Sequence, residues 1–203
     1  MLQSVSSAAP HIVGGHFTKI AEEVDIAPLK AELDAHPELW NRHPYRKIAD
    51  DTPHASMDDI WLRYRPLSEL TSTAAYAEPH IPVWYPAADA LPAVKPIIYG
   101  LMAHVDGEML CGVLITRIPP GAGIGLHHDA GWHVEYTEKF YVSVQSAPGA
   151  RFYCAAEGPE WIEPKAGEIW LFDNRKPHFV QNDSPIDRIT LIVCIRTTLF
   201  GRP

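Results

Sequence analysis

The stretch GLHHDAGWH, residues 125 to 133, places three histidines and one aspartate in nine positions. Imidazole nitrogens and carboxylate oxygens are ligands that iron and other first-row transition metals take in proteins. In a helix, Asp129 and His133 would share a face, but the glycines around them disfavour a helix. In an extended chain, His127 and Asp129 point to one side and His128 points to the other. The pattern therefore predicts that His127 and Asp129 form a metal-binding pair.

A third ligand must come from another part of the chain, because two side chains hold a catalytic metal poorly. Among the downstream β-type segments only His178, in NRKPHFVQND, offers one. Two histidines and one carboxylate form the facial triad that binds Fe(II) and leaves coordination positions open. The alternative is that these side chains simply pack, since the chain contains 11 histidines.

Arg188 follows His178 with the turn signal DSPID between them. A simple hairpin at this turn would place Arg188 opposite Asn182, and would put Arg188 and Thr190 on the same face as His178. An arginine pairs with a carboxylate through its planar fork, and a threonine adds a hydroxyl donor. We therefore predict that Arg188 and Thr190 meet the far carboxylate of a five-carbon keto acid whose other end chelates the metal. The alternative is an arginine on a solvated rim of the barrel.

The elements that must position these residues change character near residue 106. Before it, helical patterns cover 27–40 and 87–105, and Pro92 and Pro96 give the second a late start or a break. After it, short runs rich in Val, Ile, Phe and Tyr alternate with turn signals, which is typical of an antiparallel sandwich or barrel. The predicted strands are LCGVLITRI, KFYVSVQS, ARFYCA, EIWLFD, HFVQN and RITLIVCIR.

The composition excludes several classes of protein. With 17 basic against 25 acidic residues, a formal charge of −8 and no Lys/Arg-rich stripe, nucleic-acid binding is disfavoured. The first residues lack a signal-peptide pattern, and no stretch approaches the roughly 18 consecutive apolar residues of a membrane-spanning helix. We expect a cytoplasmic protein without membrane contact. The three cysteines, at 111, 154 and 194, have no CxxC spacing and are expected to be buried thiols.

Two longer stretches contain the candidate ligands: PPGAGIGLHHD, and KAGEIWLFDNRKPHFVQNDSPIDRITLIVCIR. They are similar to the aspartyl/asparaginyl β-hydroxylase-like branch of the Fe(II)- and 2-oxoglutarate-dependent oxygenases. The resemblance covers roughly residues 107–198. It implies a mainly β fold, namely a double-stranded β-helix (jelly roll, cupin-like) with an α-helical N-terminal region packed on it.

The same resemblance implies the organisation of the chain and its cofactors. Residues 1–203 would form a single domain, with 1–106 as a helical and extended support region and 107–198 as the catalytic core. His127, Asp129 and His178 would bind Fe(II). Arg188 would hold the distal carboxylate of the cosubstrate 2-oxoglutarate, with Thr190 beside it, and O₂ would take a remaining coordination position.

This chain departs from that branch at two places. The branch often carries an Arg and a His that approach the cosubstrate, where EKFYVSV here provides Lys139 and Tyr141. Either side chain can donate to a carboxylate, and we include both as cosubstrate-binding candidates. The aspartyl hydroxylases themselves lack the metal-binding carboxylate, whereas this chain has Asp129. It is therefore closer to the proline-hydroxylase-like members of the branch.

Candidates for orienting the metal ligands are Asn182, on the predicted face of His178, and Asp173 in LFDN. The alternative for Asp173 and Asn174 is a pair that stabilises a turn.

Candidate substrate-binding residues come from two segments. Trp132 and His133 follow the first ligands, and a packing role is the alternative for Trp132. In DIWLRYRP, an extended chain would place Trp61, Arg63 and Arg65 on one face. That face would recognise an anion if it covers the barrel opening, and a solvated strand edge is the alternative. An anionic small molecule or a peptide is the expected substrate.

The resemblance implies an iron-dependent oxidoreductase, namely a 2-oxoglutarate dioxygenase. Such an enzyme would hydroxylate an amino acid or a peptidyl residue and release succinate and CO₂. One alternative is a cupin-like metalloenzyme that uses no 2-oxoglutarate, which predicts a further ligand in a G-x₅-H-x-H arrangement. The other is a non-catalytic jelly-roll binding protein.

Overall fold

The computed structural model describes residues 11–13, 15–49, 52–70, 72, 75 and 77–197. Its strands are β1 (His11–Val13), β2 (Phe17–Ala21), β3 (Asp58–Tyr64), β4 (Val83–Trp84), β5 (Met109–Ile118), β6 (Gly123–His127), β7 (Glu138–Gln145), β8 (Ala150–Cys154), β9 (Glu160–Ile162), β10 (Ile169–Phe172), β11 (His178–Asn182) and β12 (Arg188–Arg196). Its helices are α1 (Ala27–Ala35), α2 (Tyr45–Ile48), α3 (Ala87–Ala90), α4 (Val94–His104) and α5 (Trp132–Tyr136), with 3₁₀ turns at Pro37–Leu39 and Leu67–Glu69. Within these ranges no helix has the length and apolar character to cross a membrane.

The strands form two antiparallel sheets. The larger sheet has the order β1-β2-β10-β7-β12-β5-β3-β4, and the smaller has the order β6-β11-β8-β9. Between the sheets lies a buried cluster that includes Leu114 and Ile192 from the larger sheet and Phe152 and Val180 from the smaller. All six runs predicted as strands are strands. Two such facing sheets form a jelly roll, so the predicted mainly β fold is confirmed.

Strand β12 shows that both faces of the larger sheet are buried, each in a different hydrophobic cluster. Ile189 and Leu191 pack in the core shared with the helices, whereas Ile192 packs between the two sheets. Because successive side chains of a strand point to opposite faces, Arg188 and Thr190 share the inner face with Ile192. A strand covered on both faces reads as a nearly continuous apolar run, as RITLIVCIR does.

The N-terminal region supplies both helices and strands. Leu29 and Leu33 of α1 are buried against the larger sheet, as are residues of α4. The second predicted helix is broken, as expected, because α3 ends at Ala90 and α4 begins at Val94 beyond Pro92. The extended parts of this region also join the larger sheet, where β2 pairs with β10 and β3 pairs with β5.

The predicted hairpin between β11 and β12 is wrong. β11 pairs with β6 and β8 in the smaller sheet, whereas β12 pairs with β5 and β7 in the larger. The DSPID segment is therefore a crossing between sheets. Arg188 still reaches the inner face, because the crossing and the alternation along β12 both direct it there.

Asn182 locks this crossing instead of orienting a metal ligand, which corrects that expectation. Its side chain is fully buried, and its Nδ2 donates to the carbonyl oxygens of Ile118, at 2.8 Å, and Ile186, at 2.9 Å. Its Oδ1 accepts from the amide, at 3.2 Å, and the hydroxyl, at 2.6 Å, of Ser184.

We expect Asn182→Ala to destabilise the protein by about 2–3 kcal/mol, because it leaves buried carbonyl groups without donors. Urea unfolding measures this cost. The neighbouring Gln181→Ala, whose amide bonds to Asp183 near the surface, is the matched control and should cost less than about 0.5 kcal/mol. Equal costs for the two variants would contradict the role of Asn182 as the lock.

Candidate metal centre

The pairing of β6 with β11 places His127 directly opposite His178, although the two lie far apart in the sequence. Their rings are 4.2 Å apart between centroids. Asp129 lies two residues beyond His127, the last residue of β6. The structure thereby brings His127, Asp129 and His178 together, with one ligand atom from each lying within 4.8 Å of the others. His128 is exposed, so it takes no part in this cluster.

Each imidazole is oriented by a backbone carbonyl. Nδ1 of His127 bonds to the carbonyl oxygen of Gly125, and Nδ1 of His178 to that of Lys176, both at 2.8 Å. A carbonyl can only accept, so Nδ1 carries the proton in both rings and Nε2 keeps its lone pair for a metal. Burial lowers the pKa of His178 to about 4 and also lowers the pKa of His127. Both rings are therefore neutral at pH 7, as metal binding requires.

Asp129 is held by one of its two oxygens. Its Oδ2 accepts from Nδ2 of Asn174, at 2.7 Å, and forms a close ion pair with Lys139. Its Oδ1 stays near Nε2 of His127, at 3.5 Å. Burial opposes ionisation, but Lys139 and Asn174 outweigh it and hold the pKa of Asp129 well below its usual range. The carboxylate is thus ionised and offers one oxygen to a metal.

Asn174 was missed as a metal-centre residue in the sequence, where we expected it only to stabilise a turn. Besides its side-chain bond to Asp129, its carbonyl oxygen accepts from the backbone amide of Asp129 at 2.9 Å. Asp173, the proposed orienting residue, pairs with Arg175 near the surface instead. No spacing pattern marks Asn174, because its role depends on the turn after β10 meeting the end of β6.

The donor set fits Fe(II). Three ligands at about 2.1 Å on one face of an octahedral metal lie about 3 Å apart. The ligand atoms of this cluster lie within 4.8 Å of one another, and Nε2 of His127 and Oδ1 of Asp129 are 3.5 Å apart, so side-chain movements would bring them to metal-binding distances. Two neutral imidazoles and one ionised carboxylate are the ligands of the facial triad.

A narrow cavity extends from this cluster between the two sheets. Its apolar walls are Ile124, Phe152, Val180 and Ile192. Its polar lining, besides the three ligands, is Arg46, His54, Thr116, Lys139, Tyr141, Arg188 and Thr190. All four predicted cosubstrate-binding residues, Arg188, Thr190, Tyr141 and Lys139, therefore line one cavity with the cluster.

Arg188 is the deepest cation of this cavity. It is 5% exposed, and burial lowers its pKa to about 10. No carboxylate of the described residues forms an ion pair with it. Tyr141 also lines the cavity: burial and the Asp129 carboxylate raise its pKa, while Arg188 opposes this rise. We expected Lys139 to bind the cosubstrate, but its ammonium group forms an ion pair with Asp129.

Trp132 and His133 begin α5, beside the cavity but outside its lining. Trp132 stacks on Tyr136, with 4.7 Å between ring centroids, and lies near His80. Burial lowers the pKa of His133 to about 4, and the charges of Lys139 and Asp129 also act on it. His133 is therefore close to the metal centre, whereas Trp132 packs in an aromatic cluster.

The shared face of Trp61, Arg63 and Arg65 is not present, which corrects that expectation. β3 has a bulge between Trp61 and Arg63 that breaks the alternation. Arg63 lies over the ring of Trp84, and Arg65 pairs with Glu78 at 3.2 Å. None of the three lines the cavity. Instead, the N-terminal region contributes Arg46 and His54, which the sequence analysis did not single out.

The two facing sheets and the His-Asp-His cluster define a jelly-roll protein with the donor set of a non-haem iron site. A family model described as Aspartyl/Asparaginyl beta-hydroxylase matches residues 84–198. The chain therefore belongs to the aspartyl/asparaginyl β-hydroxylase family, a family of hydroxylase enzymes, and the resemblance seen in the sequence is confirmed. No curated protein is similar enough in sequence to match.

Several solved structures share the fold. An oxidoreductase of the 2OG-Fe(II) oxygenase family from Burkholderia pseudomallei has a TM-score of 0.53 and 13% identity, over 69% of this chain and 66% of that chain. The present chain therefore spans slightly less than two thirds of the length of that oxidoreductase. A prolyl hydroxylase from Trichoplax adhaerens, in complex with a hypoxia inducible factor peptide fragment, has a TM-score of 0.53 and 12% identity, over 84% of this chain and 77% of that chain. A viral collagen prolyl hydroxylase from Paramecium Bursaria Chlorella virus-1 has a TM-score of 0.50 and 13% identity, over 91% of this chain and 97% of that chain. At these identities the likeness shows the fold alone.

The buried histidines predict how the metal-free protein responds to acid. Burial lowers the pKa of His54 to about 2 and that of His133 and His178 to about 4, against 6.5 for a free histidine. The unfolded chain therefore binds more protons than the folded one below pH 6.5, so stability is lost as the pH falls. Burial raises the pKa of Asp59 to about 6, so protonation of this carboxyl stabilises the folded state as the pH falls. This one group offsets only part of the loss from the three histidines. With chelator present, we expect the free energy of unfolding in urea to fall by roughly 3 kcal/mol between pH 7 and pH 5. An unfolding free energy that is constant over this range would contradict the neutral, buried state of these rings.

Asn174→Ala should lower the affinity for Mn(II) or Fe(II) by about 10–100-fold. The variant removes the hydrogen bond from Asn174 to Oδ2 of Asp129, which orients the carboxylate so that Oδ1 is available to the metal. Anaerobic calorimetric titration measures this affinity. The adjacent Asp173→Ala is the matched control and should leave the affinity unchanged. If Asn174→Ala binds metal as tightly as the wild type does, the hydrogen bond does not orient Asp129.

Proposed function

We propose that this chain is an Fe(II)- and 2-oxoglutarate-dependent dioxygenase that hydroxylates an amino acid or a peptidyl residue and releases succinate and CO₂. The observation that carries the proposal is one cavity with two features. It is lined by a triad of oriented donors, His127, Asp129 and His178, and by the buried Arg188, which has no carboxylate partner among the described residues.

His127, Asp129 and His178 would hold the iron through the two Nε2 atoms and Oδ1 of Asp129. When bound, Fe(II) supplies the oxidising chemistry that, with 2-oxoglutarate and O₂, converts a C–H bond into C–OH. His127 and His178 extend from paired strands of the smaller sheet, and Asp129 lies just beyond the end of β6, so a metal held by these three ligands would keep coordination positions for other ligands.

Arg188 would bind the distal carboxylate of 2-oxoglutarate. A buried guanidinium without a carboxylate is costly, and the planar fork accommodates both oxygens of a carboxylate. Thr190, on the same face of β12, and Tyr141, on the neighbouring β7, can each donate a hydroxyl hydrogen bond. Lys139 would remain bonded to Asp129 and would add positive charge near the metal-bound end of the keto acid.

The remaining walls exclude water and position the substrate. Ile124, Phe152, Val180 and Ile192 surround the triad with apolar surface. Such walls strengthen the ion pairs inside the cavity and hold the substrate near the metal. We further propose that residues 1–203 act as one domain, in which 107–198 form the catalytic core and 1–106 support it.

The two alternatives do not explain Arg188. A cupin-like metalloenzyme without 2-oxoglutarate needs no guanidinium for a cosubstrate in the metal cavity. A binding protein in which the histidines only pack explains neither the paired Nδ1–carbonyl bonds nor the ionised carboxylate beside them. Support also comes from the fold relatives, one described as a 2OG-Fe(II) oxygenase family member and one as a prolyl hydroxylase bound to a peptide.

The experiment is an anaerobic titration with Fe(II) and 2-oxoglutarate, in which the visible charge-transfer band reports the keto acid on the metal. The wild type should show the band, and His178→Ala should lose metal binding and the band together. Arg188→Met should keep its metal affinity but bind 2-oxoglutarate about 10–100-fold more weakly, as expected for a lost charge-assisted hydrogen bond.

Arg196→Met is the matched control, because Arg196 lies on the same strand but pairs with Glu108 near the surface. It should leave both affinities unchanged. Metal binding without a band in the wild type would favour the cupin-like enzyme, and no metal binding at all would favour the packing protein.

A further inference from the structure

We propose that Arg46 binds the carboxylate of the substrate, and that the substrate is a free amino acid. This inference rests on the proposed function, because it assigns the second anionic ligand of the same cavity. It replaces Arg63 and Arg65, the residues in which the sequence suggested an anion site.

Arg46 reaches the cavity from α2, which precedes β3. Its Nη2 lies 3.0 Å from Nε2 of His54, and the His54 ring packs edge-to-face on the ring of His127, with 5.0 Å between centroids. Both Arg46 and His54 line the cavity that contains the metal ligands. Arg46 is therefore separated from a metal ligand by a single side chain.

The position of Arg46 is fixed by the segment around it. The hydroxyl of Thr52 donates to the carbonyl oxygen of Arg46, at 2.7 Å, and accepts from the backbone amide of His54, at 3.1 Å. The carbonyl oxygen of Pro53 accepts from the amide of Gly125, on the strand that ends at His127, at 3.1 Å. These bonds attach the Arg46 segment to the strand that carries the metal ligand, and a rigid attachment of this kind suits substrate positioning.

One end of the guanidinium is unpaired. Nη1 of Arg46 is buried and has no hydrogen-bond acceptor among the described residues. The nearest carboxylate, that of Asp59, is 3.9 Å away, too far for a hydrogen bond, and it lies outside the cavity lining at 1% exposure. A buried N–H without an acceptor destabilises a protein, so it requires an explanation. A ligand carboxylate in the cavity supplies the acceptors.

The charges of the cavity support an anionic substrate. Its lining contains three cations, Arg46, Lys139 and Arg188, and one carboxylate, Asp129. Lys139 pairs with Asp129, and Arg188 is assigned to 2-oxoglutarate. Among the described residues, Arg46 has an ion-pair partner only in Asp59, which lies outside the lining, so no anion within the cavity lining is assigned to it. Fe(II) would add further positive charge.

The distance between Arg46 and the metal ligands limits the size of the substrate. Since only His54 separates Arg46 from His127, the bound carboxylate and the carbon presented to the metal must lie a few bonds apart. An amino acid meets this requirement through its own α-carboxylate. A residue inside a peptide has lost that group, and only an acidic side chain could replace it.

The test uses the full chain loaded anaerobically with Mn(II) and 2-oxoglutarate, and it reads binding by calorimetry. The probes are the twenty free L-amino acids, the carboxamide of each amino acid that binds, and a capped tripeptide with a central aspartate. The variants are Arg46→Met and Arg46→Lys, with Arg42→Met as the matched control, because Arg42 is an exposed arginine in the turn before α2. Thermal unfolding verifies that each variant is folded.

We expect the wild type to bind at least one free amino acid and to bind its carboxamide at least 10-fold more weakly. Arg46→Met should weaken amino-acid binding by 10- to 100-fold, and Arg46→Lys, which keeps the charge but loses the fork, should weaken it less. Arg42→Met should bind as the wild type does. Affinities for Mn(II) and 2-oxoglutarate should be the same in all four proteins.

Three results would overturn the assignment: no amino acid binds the wild type, Arg46→Met and Arg46→Lys retain full affinity, or the carboxamide binds equally well. Preferential binding of the tripeptide would overturn the amino-acid substrate. Loss of 2-oxoglutarate in Arg46→Met would assign Arg46 to the cosubstrate instead. Failure of the wild type to bind Mn(II) and 2-oxoglutarate would instead reject the proposed function, and with it this inference.

Discussion

The antiparallel pairing of β6 with β11 is the constraint on which the metal centre depends. It sets His127 opposite His178, so that two imidazoles from distant parts of the chain lie side by side. Both histidines belong to strands, and neither depends on a loop for its position. The two strands approach closely at Gly123, where a Cβ atom would lie only 2.4 Å from the carbonyl oxygen of Val180. A larger residue at this position would push β6 away, and the register of His127 would shift with it. The chain then leaves the strand and turns Asp129 towards the same point.

Several buried polar atoms of residues near this centre have no hydrogen-bond partner in the part of the chain that the structure describes. Buried atoms without a hydrogen bond include Nη1 of Arg46, Nδ1 of His54, Nδ1 of His133 and Oδ1 of Asn174. Buried polar groups are almost always paired elsewhere in proteins, and unpaired ones require a functional or structural explanation. Two of these residues, Arg46 and His54, line the cavity, whose lining has more cations than anions. Under the proposed function, a dianionic cosubstrate and an anionic substrate would offset this positive charge.

The sequence predicts which three candidate side chains the structure brings together, because they obey a local rule. His127 and Asp129 are two residues apart in an extended segment, and His178 begins a strand, so alternation alone selects their faces. Arg188 was placed correctly on the inner face for a wrong reason. The predicted hairpin does not exist, but the period of two along β12 gives the same result. The jelly roll itself follows from short apolar strands separated by turn residues, whose signal is strong after residue 106.

The parts that the sequence does not reveal depend on contacts between distant segments. Asn174 acts on Asp129 from the turn after β10, and Arg46 and His54 enter the cavity from the segment before β3. No periodicity marks such residues, because each depends on where a turn meets another element. The face proposed for Trp61, Arg63 and Arg65 failed for a related reason, since a bulge in β3 interrupts the alternation on which it relied.

The measurement that tests this account most directly is a crystal structure of the protein grown anaerobically with Mn(II) and 2-oxoglutarate, with anomalous diffraction used to locate the metal. The account predicts one anomalous peak at about 2.0–2.3 Å from Nε2 of His127, Nε2 of His178 and one oxygen of Asp129. It also predicts that the far carboxylate of the keto acid lies against the guanidinium of Arg188. A metal bound elsewhere, or a keto acid that does not contact Arg188, would contradict it.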